Sequence, residues 1–125
     1  MKTLILYSSH DGQTKKIAEF MAQYLEGEVV VSPLMEEQDL QVFDHVIIGA
    51  SVRYGHFNKQ VYRFVERHHE LLNAKSAVFF GVGLTARKEG KDTPEGNVYV
   101  RKFLQHIKWT PVKVGVFAGA LLYPR

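Results

Sequence analysis

Short apolar runs alternate along the chain with longer amphipathic stretches. Thr3-Leu4-Ile5-Leu6-Tyr7 has the length and character of a buried strand within residues 2–7. The period then changes. Ile17, Ala18, Met21, Tyr24 and Leu25 recur at helical spacing, which predicts a helix over 14–25 stopped by Gly27. Glu28-Val29-Val30-Val31-Ser32 is rich in β-branched residues and reads as a second strand ended by Pro33. Residues 34–43 are short and mixed, with room for one helical turn. A third apolar run spans Asp44 to Ser51, and Val61, Phe64, Val65, Leu71 and Leu72 mark a helix from Asn58 to Leu72. Ser76 to Val82 is a fourth strand. Val100, Phe103, Leu104 and Ile107 mark a last helix, and Val112 to Ala118 a fifth strand.

Strands alternating with helices require right-handed crossovers and a parallel sheet. Five strands with polar loops after the first and third fit the order 2-1-3-4-5. In that order a ligand lies beyond the carboxyl ends of strands 1 and 3, where the winding reverses. The loops at residues 8–14, 51–56 and 83–88 then converge on one crevice. Residues 83–97 are turn-rich and long enough to suggest a functional loop. No helix follows the fifth strand in this pattern, so part of one sheet face is expected to be open.

The loop after the first strand, Ser8-Ser9-His10-Asp11-Gly12-Gln13-Thr14, carries the chemistry. A small polar loop between a strand and a helix presents free amides and the positive end of the helix dipole, which together make an anion site. It has no Walker A lysine and no three-glycine dinucleotide fingerprint. The hydroxyls of Ser8, Ser9 and Thr14 suit a phosphate monoester such as that of FMN. An ordinary capped βα turn fits the same residues.

Composition narrows the field. The 125 residues, 46% of them hydrophobic, make one domain with a core of its own. There is no cysteine, hence no disulfide framework, thiolate metal site or cysteine nucleophile. The net charge of +3 favours an anionic ligand or an anionic membrane surface. No helix-turn-helix, zinc-finger or RNP pattern supports nucleic acid. The first strand begins at the N-terminus without a signal-like segment, and no apolar run has membrane-spanning length. A cytoplasmic or peripheral location is expected, and no metal site. His68 and His69 are adjacent on a helix and point apart. His45 and His106 read as structural or exposed, and Trp109 as packing at the end of the last helix.

The segment Tyr7 to Thr14 resembles the phosphate loop of flavodoxins, Ser/Thr-x-Thr-Gly-x-Thr. Four further segments resemble one family in particular. They are Ile48-Gly49-Ala50-Ser51-Val52-Arg53-Tyr54-Gly55-His56, Thr85-Ala86-Arg87-Lys88, Tyr99-Val100-Arg101-Lys102-Phe103-Leu104 and Ala118-Gly119-Ala120-Leu121-Leu122-Tyr123-Pro124-Arg125. Over its whole length the chain is similar to the bacterial flavodoxin-like, quinone-dependent protoporphyrinogen oxidases of haem synthesis. The phosphate loop points only to the superfamily, and the second and last segments are the specific ones. His10 and Asp11 stand where hydroxyl residues are usual, so Asp11 is expected to cap the helix or face solvent.

That resemblance implies an α/β, flavodoxin-like three-layer sandwich. It implies oxidation of protoporphyrinogen IX to protoporphyrin IX, with FMN as cofactor and a membrane quinone, menaquinone or ubiquinone, taking the electrons. The location implied is peripheral, on the cytoplasmic face of the inner membrane. The family continues past the last segment with a basic, aromatic stretch and a closing helix, so 1–125 is expected to be a single domain incomplete at its C-terminus. A homo-oligomer remains open.

By the same resemblance Ser9, His10, Asp11, Gly12, Gln13 and Thr14 hold the phosphate. Ser51, Val52, Arg53 and Tyr54 border the isoalloxazine, and Leu84, Thr85, Ala86 and Arg87 approach from the other side. Tyr54 either stacks on the ring or fills a surface groove. Arg53 serves anionic reduced flavin, a substrate propionate, or neither. Arg87, Lys88 and Lys91 are propionate partners or a solvated loop face, and His56 is a candidate proton shuttle. No catalytic triad is expected. Three other readings stay open: an electron-carrying flavodoxin, which is usually acidic, an NAD(P)H:quinone reductase, and a chain that keeps the fold without binding cofactor.

Overall fold

The computed structural model describes residues 2–8, 12–35, 38–53, 56–83 and 98–117, with backbone only at Val52, Arg53, His56, Ser76, Val98 and Phe117. The elements are β1 (Lys2–Ser8), α1 (Gln13–Ala22), β2 (Glu28–Pro33), β3 (His45–Arg53), β4 (His56–Phe57), α2 (Lys59–Ala74), β5 (Ser76–Val82), α3 (Val98–Gln105) and β6 (Lys113–Phe117). Five strands run parallel in the order β2-β1-β3-β5-β6, which is the expected 2-1-3-4-5. Leu4, Ile5 and Leu6 are fully buried because β1 is covered on both faces.

The register assigns each strand residue to a face. On one side Leu4, Leu6, Val46, Ile48, Ala77 and Phe79 meet Val61, Phe64, Val65 and Leu72 of α2 and Val100 and Phe103 of α3. The Phe79 ring stacks on Phe103 at 4.5 Å, Phe57 stands edge-on to both, and Trp109 closes on Phe79 at 6.3 Å. On the other side Ile5, Ile47, Phe80 and Val82 meet Ile17 and Ala18 of α1. There the Phe80 ring lies directly over Gly49, its register partner on β3, and occupies the space a Cβ would need.

Several expectations are corrected. α1 ends at Ala22, not at residue 25, because Gln23, Tyr24 and Leu25 donate to carbonyls three residues back. Tyr24 is therefore 73% exposed, beyond the helix. Gly27, at φ 84°, lies beyond the C-cap, Gln23, and just ahead of β2. Residues 34–43 hold no helical turn among the described residues. Asp39 accepts from Gln41 N–H at 3.0 Å and Phe43 N–H donates to Leu40, which makes a tight turn. β3 runs past Ser51 to Arg53 and folds back as β4, a hairpin the sequence pattern did not reveal. α2 extends to Ala74, with Asn58 as the N-cap, its side chain accepting Gln60 N–H at 2.8 Å. Trp109 packs as expected, at 2% exposure. The loop at 84–97 and residues 118–125 lie outside the described residues.

At the opposite end of the strands from the β1–α1 loop, Lys2 and Asp44 tie β1 to β3. Asp44 Oδ2 accepts Lys2 N–H at 2.8 Å, and Asp44 N–H donates to the Lys2 carbonyl at 2.8 Å. The bond from Lys2 N–H, helped by the charges of His45 and Lys75, holds the Asp44 carboxyl below the usual carboxylate range. A lowered folded-state value means stability that is complete above the unfolded value of about pH 4 and is lost as pH falls through the folded one. Asp44→Asn keeps an acceptor for Lys2 N–H without the titration. Its stability should fall less steeply than the parent's below about pH 4, as read from urea midpoints across pH.

Candidate functional site at the carboxyl edge of the sheet

β1 ends at Ser8, beside Ala50 of β3, and β3 continues through Ser51, which lies opposite Val82 of β5. The three strand ends therefore open onto one edge. The start of α1 lies on the same edge. Gly12 is its N-cap at φ 83°, a left-handed conformation, and offers no side chain of its own to cap the helix. A Cβ at Gly12 would meet nothing within 4 Å, so the backbone angle, rather than crowding, selects glycine here. The first helical bond is Lys16 N–H to the Gly12 carbonyl at 3.1 Å. The amides of Thr14 and Lys15 precede it and have no acceptor within the helix.

No acidic residue occupies the first turn of α1. Thr14 is fully buried, yet its Oγ1 has no hydrogen-bond partner among the described residues. A buried hydroxyl left without a partner is unfavourable by roughly 1–3 kcal/mol. The helix start, its dipole and this hydroxyl together suit a phosphate group, so these residues fit the cofactor that the sequence implies.

The structure places the remaining expected residues unevenly. Gly12, Gln13 and Thr14 form the N-terminus of α1. Ser51, Val52 and Arg53 form the end of β3 on the same edge, with Ser51 half-buried. Arg53 is the register partner of His56 across the hairpin, and Val52 that of Phe57. Ser9, His10, Asp11, Tyr54, Leu84, Thr85, Ala86 and Arg87 lie outside the described residues, as do Lys88 and Lys91. Phe57 was not singled out from the sequence. Its buried ring, 5.5 Å from Phe79 and 5.4 Å from Phe103, anchors the returning strand of the hairpin. A two-residue Tyr54-Gly55 link between β-prone residues was the available signal.

The histidines outside this edge make local contacts. His68 packs on Phe64 at 4.4 Å, His69 Nδ1 lies 2.9 Å from the Glu66 carbonyl, and His106 Nδ1 lies 2.8 Å from the Lys102 carbonyl. No helix among the described residues is long and apolar enough to cross a membrane.

The sequence model of a family described as a flavodoxin domain matches residues 4–125. The protoporphyrinogen IX dehydrogenase [quinone] of Escherichia coli K12 is 45% identical over 130 residues, an alignment covering 100% of this chain and 72% of that protein. The chain belongs to the flavodoxin-domain family of protoporphyrinogen IX dehydrogenases. The Leishmania major protein of the same name is 46% identical, over 99% of this chain and 56% of its own. Among solved structures, a flavoprotein of Lactobacillus acidophilus in complex with FMN superposes with a TM-score of 0.69 at 17% identity, over 95% of this chain and 93% of that one. Oxidised Flavodoxin 2 of Bacillus cereus superposes with a TM-score of 0.60 at 22% identity, over 94% and 84%. At those identities the two structures speak for the flavodoxin-like fold.

Proposed function

We propose that the chain is an FMN-dependent oxidoreductase that converts protoporphyrinogen IX to protoporphyrin IX and passes the electrons to a membrane quinone. The observation that carries this reading is the 45% identity to the E. coli dehydrogenase along the entire chain. When bound, FMN supplies the redox chemistry, taking electrons two at a time, so the six that leave the porphyrinogen ring need three cycles.

The protein's part is to bind and orient. The amides at the start of α1 and the Thr14 hydroxyl hold the phosphate, with Ser9, His10, Asp11, Gly12 and Gln13 completing the loop. Ser51, Val52, Arg53 and Tyr54 border the flavin ring, and Leu84, Thr85, Ala86 and Arg87 close on it from the β5 side. Arg53 meets a substrate propionate or negative charge at the ring, and His56, its cross-strand partner, holds a proton at the mouth. Support for the phosphate assignment comes from the buried Oγ1 of Thr14, which has no partner among the described residues, at the start of α1.

Gly12→Val tests the loop. A β-branched residue at φ 83° is strained by about 1–2 kcal/mol, which displaces the helix start. FMN affinity should fall at least tenfold by fluorescence titration, whereas Gly12→Asn, tolerant of the left-handed region, should keep most of it.

The reaction is tested anaerobically. Protein loaded with FMN is mixed with protoporphyrinogen IX, and the flavin absorption band is followed. Bleaching with the appearance of porphyrin fluorescence is expected, and added quinone should restore the band. Bound FMN that stays oxidised with porphyrinogen would point instead to an electron carrier or an NAD(P)H-dependent reductase.

A further inference from the structure

Charge is distributed unequally over the fold. Residues 59–75 and 98–112, which comprise α2, α3 and their exits, carry seven Lys and Arg against two acids, Glu66 and Glu70. The rest of the described residues carry five of each sign. The net positive charge of the described residues therefore sits on one layer, opposite α1.

Within that layer the charges are ordered. Lys59, Arg63 and Arg67 recur every four residues along the exposed side of α2, a stripe about 12 Å long at the helical rise. Lys102 and His106 lie four apart at the end of α3, also exposed. Between the two helices is a cleft of about 510 Å³ lined by Tyr62, Arg63, Glu66, Arg67, His106 and Ile107. Glu66, the acid at this cleft, is paired with Lys108 at 3.5 Å. Tyr62 and Ile107 give the cleft an apolar floor, with the Tyr62 ring held against Phe103 at 5.1 Å.

We infer that the α2–α3 layer is the face by which this protein docks on an anionic lipid bilayer, with phospholipid headgroups against Arg63, Arg67 and Lys102 and the cleft receiving apolar parts of a lipid. A stripe of that length spans more than one phosphate, which favours a surface of headgroups over a single free anion. Among the described residues α2 and α3 pack along the sheet, and no element protrudes to enter a nucleic-acid groove. The inference extends the membrane-quinone reading given above, and its test involves no substrate, quinone or turnover, so the two fail separately.

The test is sedimentation of the full chain with vesicles of phosphatidylcholine alone and of phosphatidylcholine mixed with phosphatidylglycerol, at low and high salt. Binding is expected to the mixed vesicles only, and to weaken with salt. Arg63→Glu with Lys102→Glu should lower the partition coefficient at least tenfold. Lys16→Glu with Lys113→Glu changes the net charge equally on the rest of the molecule and should lower it by about twofold or less. Circular dichroism checks that both pairs fold.

Three outcomes overturn the inference. One is sedimentation independent of phosphatidylglycerol, or none at all. Another is an equal loss in both variant pairs, which would mean net charge alone is read. The last is release by inorganic phosphate where chloride of equal ionic strength has no effect, which would mark a discrete phosphate site instead of a bilayer face.

Discussion

Phe79→Ala should destabilise the protein by about 3–5 kcal/mol, the range for removing a fully buried aromatic side chain. Phe79 is fully buried, stacked on Phe103, with Phe57 edge-on at 5.5 Å and Trp109 at 6.3 Å. Its loss leaves a cavity whose walls come from β4, β5, α3 and the chain that follows α3. These cannot all move inward together, so the upper part of the range applies. Urea denaturation gives the number, and Tyr24→Ala, at a position 73% exposed, is the control and should change stability by no more than about 0.5 kcal/mol. The effect should also reach the ligand edge. Phe57 leans on Phe79, and with that support gone the hairpin carrying Arg53 loses its anchor. A Phe79→Ala protein that still folds should therefore bind FMN more weakly.

Gly49→Ala should lower stability by about 2–3 kcal/mol, roughly a 10 °C drop in Tm for a chain of this size. The reason is the Phe80 ring, which fills the space a Cβ at Gly49 would need. Phe80 is 1% exposed and sits between β3 and the α1 side of the sheet, so it has no open direction in which to swing. A double-mutant cycle isolates the contact. In Phe80→Leu the ring is gone, so adding Gly49→Ala should cost much less than it does in the parent. The coupling should be at least about 1 kcal/mol, and strictly additive losses would mean that the overlap is relieved elsewhere.

The order of the sheet was legible because each parallel strand here is a continuous apolar run and each crossover helix shows a clean period. Leu4-Ile5-Leu6 and the Val61, Phe64, Val65, Leu72 set are both buried as their patterns require. The hairpin was missed because a strand of two residues has no period to read, and Tyr54-Gly55 between β-prone residues was its one local signal. The end of α1 was misplaced because Tyr24 and Leu25 keep the helical spacing after the hydrogen bonding has changed to the tighter kind. The packing of Phe80 over Gly49 joins residues 31 positions apart, and only the register of β3 on β5 reveals it.

Much the same division holds for the site. The start of α1, expected at Thr14, falls at Gln13, within one residue, because the small polar loop and the onset of the helical period are local signals. That Arg53 faces His56 across a strand pair depends on β3 outrunning β1, which no single segment announces.

Among the described residues the two sides of the sheet are unequally filled, and this has a consequence for motion. The buried residues holding α1 are Ile17 and Ala18 against Ile5, Ile47, Phe80 and Val82, with Met21 and Ala22 at the margin, while α2 and α3 rest on the larger aromatic core. Amide exchange should therefore reach α1 through a partial opening that leaves the opposite layer closed. The proposed phosphate site is the first turn of that same helix. Opening α1 dismantles the site, so any anion bound there must slow exchange along α1 by the factor 1 + [L]/Kd while leaving α2 nearly untouched. Occupancy then becomes measurable helix by helix in the unlabelled protein, without a chromophore.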